Sequence, residues 1–440
     1  MSKELAIRQT AIHLLRSGST VAEVAQELKR SIPWVYKWRK RFIDAGGDWQ
    51  MLKDQSRAPK HPPRKLSERI RQEIRAVRSE LEMEADEPGK LIYIGAQAIR
   101  GRLRGKRITP LPSISSIERE LRAAGMARPR KLQKPEQVAY PHVQPTQPHQ
   151  LVQVDIVPRY LPGGPCVSCF NAIDVVSRYP TGWQYTAKRS EDAVSFLLQV
   201  WRELGISDYT QVDNESCFSG GFTHPGVLGK VLRLALLVGT ELIFSPIRHP
   251  ESNAYVERFH QDYTKNVWDK NDLPDLATVH KHSSIFFDAY RNSPHHSALH
   301  NYSPQEVHAL ASVRNLPASF RPPAKLPLTV GKVHFIRLIN QDLQVMILNQ
   351  NWEVPLAKPD QRVWATLQFA PQGARLRIYD AAPDAQRRTC LGEHPFPLKE
   401  TVCPLGQQFL RPAHTPKRSW VTATLGRMGS AVSQWISTML

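Results

Sequence analysis

The chain is short of cysteine, with five in 440 residues, an odd number that cannot pair completely. Cys166 and Cys169 stand in a C-x-x-C spacing, half of what a zinc ribbon requires, but no second pair matches it. They sit in the alternating apolar stretch from Cys166 to Val176, where small buried thiols are common. Structural thiols in a reducing compartment are the expected reading. Long apolar runs are missing too. Nothing approaches the roughly 18 uncharged apolar residues of a membrane helix, and Met1-Ser2-Lys3-Glu4 does not lead into the apolar core of a signal peptide. A soluble, cytoplasmic chain with no membrane partner is expected. Acid is scarce relative to base: 59 Lys and Arg face 40 Asp and Glu, for a net charge of +19. The first 150 residues hold 30 basic against 16 acidic residues. Positive charge concentrated at one end implies a polyanion bound there.

What is present begins with three short helices over residues 1–57. A helix from Glu4 to Arg16 places Ile7, Ala11, Leu14 and Leu15 on one face, and Ser17-Gly18 stops it. Thr20-Val21-Ala22-Glu23 has the spacing of a capping box and opens a second helix. Ser31 caps a third, with Pro33 in its tolerated first turn and Trp34, Val35, Trp38 and Phe42 inward. The pattern is a helix-turn-helix, and the last helix offers Lys37, Arg39, Lys40 and Arg41 to a DNA groove.

Residues 58–66 form a basic, proline-rich linker, extended because proline breaks regular structure; together with Arg57, its Lys60, Arg64 and Lys65 are expected along a phosphate backbone. A second helical, winged helix-turn-helix module follows over 67–125. Ser115-Ser116-Ile117-Glu118 has capping-box spacing, and Arg119 and Arg122 lie on the polar side of that helix. Two DNA-reading modules in tandem grip a longer site than one. Pro129, Pro135, Pro141, Pro145 and Pro148 mark the linker 126–148.

The domain from 149 to 312 carries the acids. Leu151-Val152-Gln153-Val154-Asp155-Ile156-Val157 reads as a buried strand interrupted by a carboxylate, and burying an unpaired charge costs several kcal/mol (about 3 or more). A second strand, Tyr209-Thr210-Gln211-Val212, ends in Asp213; a helix beginning at Asn253 presents Glu257. Strands 151–157, 167–176 and 183–186 form an antiparallel meander that parallel strands extend through helical crossovers, a ribonuclease H-like α/β order. Asp174 also interrupts an apolar strand and is read as structural, paired with Arg178. His280, His282, His295, His296 and His300 lack cysteine partners or carboxylate spacing and are read as backbone or DNA contacts. After a bridge at 313–328, short strands over 329–400 imply a small β-barrel. In 420–440, Val421, Leu425, Met428, Val432 and Ile436 form a helical stripe suited to partner or subunit packing.

Gln153-Val154-Asp155, Gln211-Val212-Asp213-Asn214 and Asn253-Ala254-Tyr255-Val256-Glu257-Arg258-Phe259 together resemble the three motifs of DDE transposases of bacterial insertion sequences, with a retroviral-integrase-type core. The resemblance extends to Asp174-Val175-Val176-Ser177-Arg178-Tyr179, to Tyr290–Leu299 and to Ser303-Pro304-Gln305-Glu306. Two departures are plain: Glu215 and Ala254 stand where the family often has glycine. The interval from Asp213 to Glu257 is also longer than in retroviral integrases, and the surplus falls in Gly220–Gly239.

The resemblance implies a ribonuclease H-like catalytic core, an SH3-like C-terminal barrel, and catalysis by Asp155, Asp213 and Glu257. These would hold two Mg²⁺ ions, with Mn²⁺ a substitute; Asp155 would bridge both and the others hold mainly one each. Two hard cations need oxygen donors, which carboxylates supply. Arg258 and Lys265, the latter about two helical turns beyond Glu257, are candidates for phosphates at the DNA end. The implied partners are transposon-end DNA and target DNA, further copies of the chain as a dimer or tetramer, and an accessory protein; the implied place is the bacterial nucleoid. A DNA-binding regulator with an idle triad is the alternative, and a plain nuclease leaves the N-terminal modules unexplained.

Overall fold

A computed structural model describes residues 3–54, 66–87, 92–127, 140–220, 226–247, 250–300 and 302–404. Arg57, Lys60, Arg64, Lys65 and the 420–440 stripe lie outside them. The chain divides into two compact units, Met1–Ser67 and Glu68–Leu440.

In the first unit, α1 (Lys3–Arg16), α2 (Val21–Glu27) and α3 (Ile32–Asp44) precede a 3-10 turn at Trp49–Leu52. The capping box forms: Thr20 Oγ1 accepts from Glu23 N, and Thr20 N donates to Glu23 Oε2 at 2.8 Å. Ser31 holds the N-cap position of α3 without a side-chain bond, and Pro33 sits in the first turn. Leu5, Ala11, Ile12, Trp38, Phe42 and Leu52 make the core. The inward stripe of α1 is therefore rotated from the expected one: Ile7 is only half-buried. The rotation is set by Arg8, whose guanidinium lies 4.0 Å over Trp38 and donates to Leu52 O and Asp54 Oδ1.

The second unit opens with α4 (Glu68–Asp86), α5 (Ala96–Gly105) and α6 (Ile114–Ala123). Ile70, Ile74, Val77, Ile99, Leu103 and Ile117 close its core, and Arg71 and Arg75 both bind the buried Glu120 carboxylate. The cap of α6 is Ser113, whose hydroxyl accepts from Ser116 N, two residues before the expected Ser115. Starting there places Ile117 and Leu121 inward.

The central elements are β1 (Leu151–Tyr160), β2 (Cys166–Asp174), β3 (Pro180–Tyr185), α7 (Ser190–Glu203), β4 (Tyr209–Val212), α8 (Ser216–Ser219), α9 (Lys230–Val238), β5 (Glu241–Phe244), α10 (Ala254–Tyr263), α11 (Leu276–Asn292) and α12 (Pro304–His308). They are followed by β6 (Gly331–Leu338), β7 (Gln344–Ile347), β8 (Gln350–Glu353), β9 (Arg362–Ala370), β10 (Gly373–Tyr379) and β11 (Cys390–Phe396). β1 to β3 form the antiparallel meander, and β4 and β5 add in parallel.

The C-terminal strands do not stand apart as a barrel. β6 pairs in parallel with β5, giving one nine-stranded sheet in the order β11-β10-β9-β6-β5-β4-β1-β2-β3, with β7–β8 as a separate hairpin. The reason is visible at the join: Phe244 stacks on Phe335 at 5.1 Å, and one apolar cluster runs from Phe196 through Val333 to Phe396. An edge at β5 would leave that surface and its ladder open to water.

Candidate functional site

The parallel register pairs Gln153 with Gln211. Asp155 stands on β1 two residues past that last pair, and Asp213 follows β4 directly, two residues past Gln211. Asp155 sits mid-strand, opposite Asn171 of β2 and just beyond the segment that pairs with β4, and Asp213 lies at the carboxyl end of β4, where open α/β sheets present ligands. Glu257 arrives on the first turns of α10, and that helix is held by the strands themselves. Gln153 Oε1 accepts from Tyr255 N and Val256 N at 3.2 and 3.4 Å, and Gln153 Nε2 donates to Ser252 O at 2.9 Å. Gln211 Nε2 reaches the same Ser252 O at 2.9 Å, together with Asn253 Oδ1 and Ser245 Oγ. Each glutamine stands two residues before an aspartate, on the same strand face. Two amides thus fix the start of the helix that bears the third acid.

Electrostatics joins the acids. Burial pushes Asp155 up to about 6, and the carboxylates of Glu257 and Glu215 push the same way. Burial pushes Asp213 up to about 7, with Asp155 and Glu215 adding to it. Lys188 opposes both shifts and pairs with Glu215 at 2.8 Å. Lys188 thus faces three carboxylates, Asp155, Asp213 and Glu215, an excess of negative charge that attracts cations. Glu215, legible in the sequence only as a departure from glycine, belongs to this cluster. His260, one turn beyond Glu257, brings Nδ1 to 3.5 Å from Asp155 Oδ2. Burial, and then Arg159, lower it to about 3, so it is a neutral neighbour and not a counter-ion.

The acids are brought together without forming a single-ion cage. Among the described residues, the group whose ligand atoms all lie within 4.8 Å of one another is His149, Asp174 and His308. Its donors are already engaged: His149 Nδ1 and Nε2 face Leu204 O and His308 O at 2.8 and 3.2 Å, and His308 Nδ1 meets Ser177 Oγ at 3.0 Å. Asp174 accepts from His149 N, Val176 N, Ser177 N and Ser177 Oγ. It is structural as expected, but bound to backbone amides and not paired with Arg178, whose guanidinium lies 4.0 Å over Tyr255.

The expected DNA contacts divide. Lys37, Arg39 and Lys40 are exposed on α3; Arg41 folds back over Trp38 and donates to Lys53 O. Arg119 and Arg122 are exposed on α6, Arg122 beside Glu118. Arg258 leans on Asp262 and Gln261. Lys265 is exposed, but the chain widens at Thr264–Trp268 into a π turn. The simple count of two α-turns along one face therefore fails there.

Residues 2–48 match the family model of a homeodomain-like domain, and residues 238–304 match that of an integrase core domain. Glu257 falls inside the second match; Asp155 and Asp213 precede it. The chain thus combines a homeodomain-like domain with an integrase core domain, in line with the resemblance drawn from its motifs. A comparison with curated proteins finds no match. Among solved structures, a simian T-cell lymphotropic virus intasome in complex with PP2A regulatory subunit B56 gamma is similar at 17% identity and TM-score 0.33, over 70% of this chain and 95% of that one. The HTLV-2 integrase catalytic core domain in complex with magnesium is similar at 15% identity and TM-score 0.30, over 38% and 99%. The BIV integrase catalytic core domain is similar at 16% identity and TM-score 0.29, over 37% and 94%. Likeness of this degree carries no functional argument, which rests on the residues. No described helix is long and apolar enough to cross a membrane.

Proposed function

We propose that this chain is a DDE transposase that cleaves the 3′ ends of its mobile element and joins them to target DNA. What supports the reading is that Asp155 and Asp213, each two residues past the paired Gln153 and Gln211, act on one another electrostatically, while those two glutamines hold the start of the Glu257 helix. The donor set fits Mg²⁺: all oxygens, crowded enough that burial and like charge raise Asp155 to about 6 and Asp213 to about 7. When bound, a pair of such ions activates the attacking oxygen and stabilises the leaving one. Asp155, Asp213 and Glu257 would hold them, and Gln153 and Gln211 keep Glu257 in register. Water attacks the phosphodiester and leaves a free 3′-hydroxyl, which then attacks a target phosphodiester and displaces its 3′-oxygen. No side chain bonds covalently to DNA in this scheme. Lys37, Arg39, Lys40, Arg119 and Arg122 would bind the element's ends, in an oligomer of the chain.

Replacing Asp155 or Asp213 with Asn, or Glu257 with Gln, should abolish Mg²⁺-dependent end cleavage and joining while end binding stays near wild type. A triple variant that still joins ends would refute the assignment.

A further inference from the structure

A proline-marked linker separates residues 67–125 from the acid-bearing domain in the sequence, yet α4 to α6 and the sheet belong to one compact unit. Two contacts join them. One reaches the Glu257 helix through stacked rings, and the other reaches the turn that extends it.

The first contact is Tyr93, in the connection between α4 and α5, where Arg78 of α4 donates to the neighbouring Ile94 O. The Tyr93 ring lies flat on His295, with centroids 4.0 Å apart and planes 4° from parallel. His295 meets Tyr290 of α11 edge-on at 4.4 Å, and the buried Tyr290 meets Phe259 of α10 edge-on at 5.0 Å. Phe259 stands two residues past Glu257. Tyr93 thus packs on the apolar cluster of Phe259, Tyr263, Phe286 and Tyr290. Its hydroxyl is buried with no hydrogen-bond partner among the described residues. Burial pushes that hydroxyl up, and Tyr290 and Asp262 push the same way against Arg258. A buried hydroxyl without a partner costs stability, so it is the ring that makes the contact.

The second contact is Lys270, just past the π turn at Thr264–Trp268. Its ammonium donates to Ala85 O at 2.5 Å and to Asn266 Oδ1 at 3.1 Å. Ala85 lies in the last turn of α4, where carbonyls lack partners within the helix and favour a cation. On the strand side, Gln153 and Gln211 seat the start of the same α10.

We propose that Tyr93 is a positioning residue for the metal site: the 67–125 module docks on α10 through it, and that docking holds Glu257 in place. The proposal rests on the reading of Glu257 as a metal ligand. The glutamines fix only the first turn of a 10-residue helix, which leaves the helix free to pivot there. The ring column against Phe259 removes that freedom, and aromatic rings supply large contact area in a fixed geometry. Binding free energies are reciprocal, so metal on Glu257 tightens the docking by the factor by which docking tightens the metal. The second helical module is thereby linked to the acids without touching them.

The test uses the full-length chain without DNA. Mg²⁺ alone is titrated calorimetrically, and amide hydrogen exchange is followed in EDTA over residues 254–263, with 151–157 as the control. Tyr93→Ala should weaken Mg²⁺ about tenfold, about 1.4 kcal/mol, and speed exchange over 254–263 several-fold, while 151–157 exchanges as in wild type. Tyr93→Phe, which keeps the ring and drops the unpartnered hydroxyl, should match wild type in both. Lys270→Met should shift both readouts in the direction of Tyr93→Ala by a smaller factor, and it stands in for that variant if Tyr93→Ala does not fold. Wild-type Mg²⁺ affinity together with wild-type exchange over 254–263 in Tyr93→Ala overturns the proposal. Faster exchange spread equally over 151–157 overturns it too, since a purely structural role gives that result. Wild type whose Mg²⁺ affinity is unchanged by Glu257→Gln overturns the metal-ligand reading alone, and exchange over 254–263 then decides whether Tyr93 holds the helix.

Discussion

Removing one of the crowded carboxylates should make the metal-free protein more stable, and only above a definite pH. Asp213 is raised from 3.8 to about 7, first by burial, then by Asp155 and Glu215; Asp155 is raised to about 6. Both folded values lie above the unfolded ones, so between about pH 4 and 7 the folded chain retains protons that the unfolded chain has released. Stability without metal therefore falls as pH rises through that window, and the penalty is fully present above it. For Asp213 the gap corresponds to about 4 kcal/mol at most. Part of it belongs to the pair and not to either residue, so Asp213→Asn is expected to gain about 2 kcal/mol at pH 8. In a domain of this size that is roughly 4–8 °C in melting temperature. The assay is thermal unfolding in EDTA at pH 8 and at pH 4, wild type against Asp213→Asn. The gain should appear at pH 8 and vanish at pH 4. A variant that is no more stable at pH 8, or equally more stable at both, would refute the claim that the acids repel one another. Adding Mg²⁺ should reverse the ranking, because a ligand at 100 times its Kd stabilises the wild type by about 2.7 kcal/mol.

Gln153→Leu should leave Tyr255 N and Val256 N without their buried acceptor, costing about 2 kcal/mol; calorimetric titration should show weaker Mg²⁺ binding than for wild type. Lys37→Ala, Arg39→Ala and Lys40→Ala together should lower the slope of log affinity against log salt by about 3, roughly 0.9 for each phosphate no longer neutralised. Arg41→Ala should change it less, since Arg41 is folded onto Trp38; an equal fall would show that it swings out on binding. His260→Leu should leave the metal-free fold intact near neutral pH, because the imidazole is already neutral there; a large drop in melting temperature at pH 7 would count against that.

Period and punctuation are what a sequence makes legible. Alternation in 151–157 and 167–176 marks the strands, Thr20-x-x-Glu23 marks the cap, and acids at apolar positions mark the candidate site. The true inward face of α1 is hidden because Arg8 counts as polar in any pattern, yet its guanidinium packs on Trp38 and closes Leu52. The fate of the C-terminal strands is hidden because short alternating strands look the same whether they close on themselves or extend a neighbour. Only the partner of β5 decides between them, and pairing across 91 residues, as of Leu242 with Val333, leaves no trace in local pattern. The two glutamines stand inside the motifs, but spacing alone assigns them no role. That role needs the parallel register that sets Gln153 beside Gln211 and the chain reversal that brings Ser252 to both. Once that register exists, the repeated Gln-Val-Asp acquires one physical reason. Each amide seats the same helix, and two residues beyond each the chain places a carboxylate of the acid cluster. The spacing between the two aspartates and Glu257 is therefore a property of buried amide hydrogen bonds. A change at either glutamine should reach the acids without touching them.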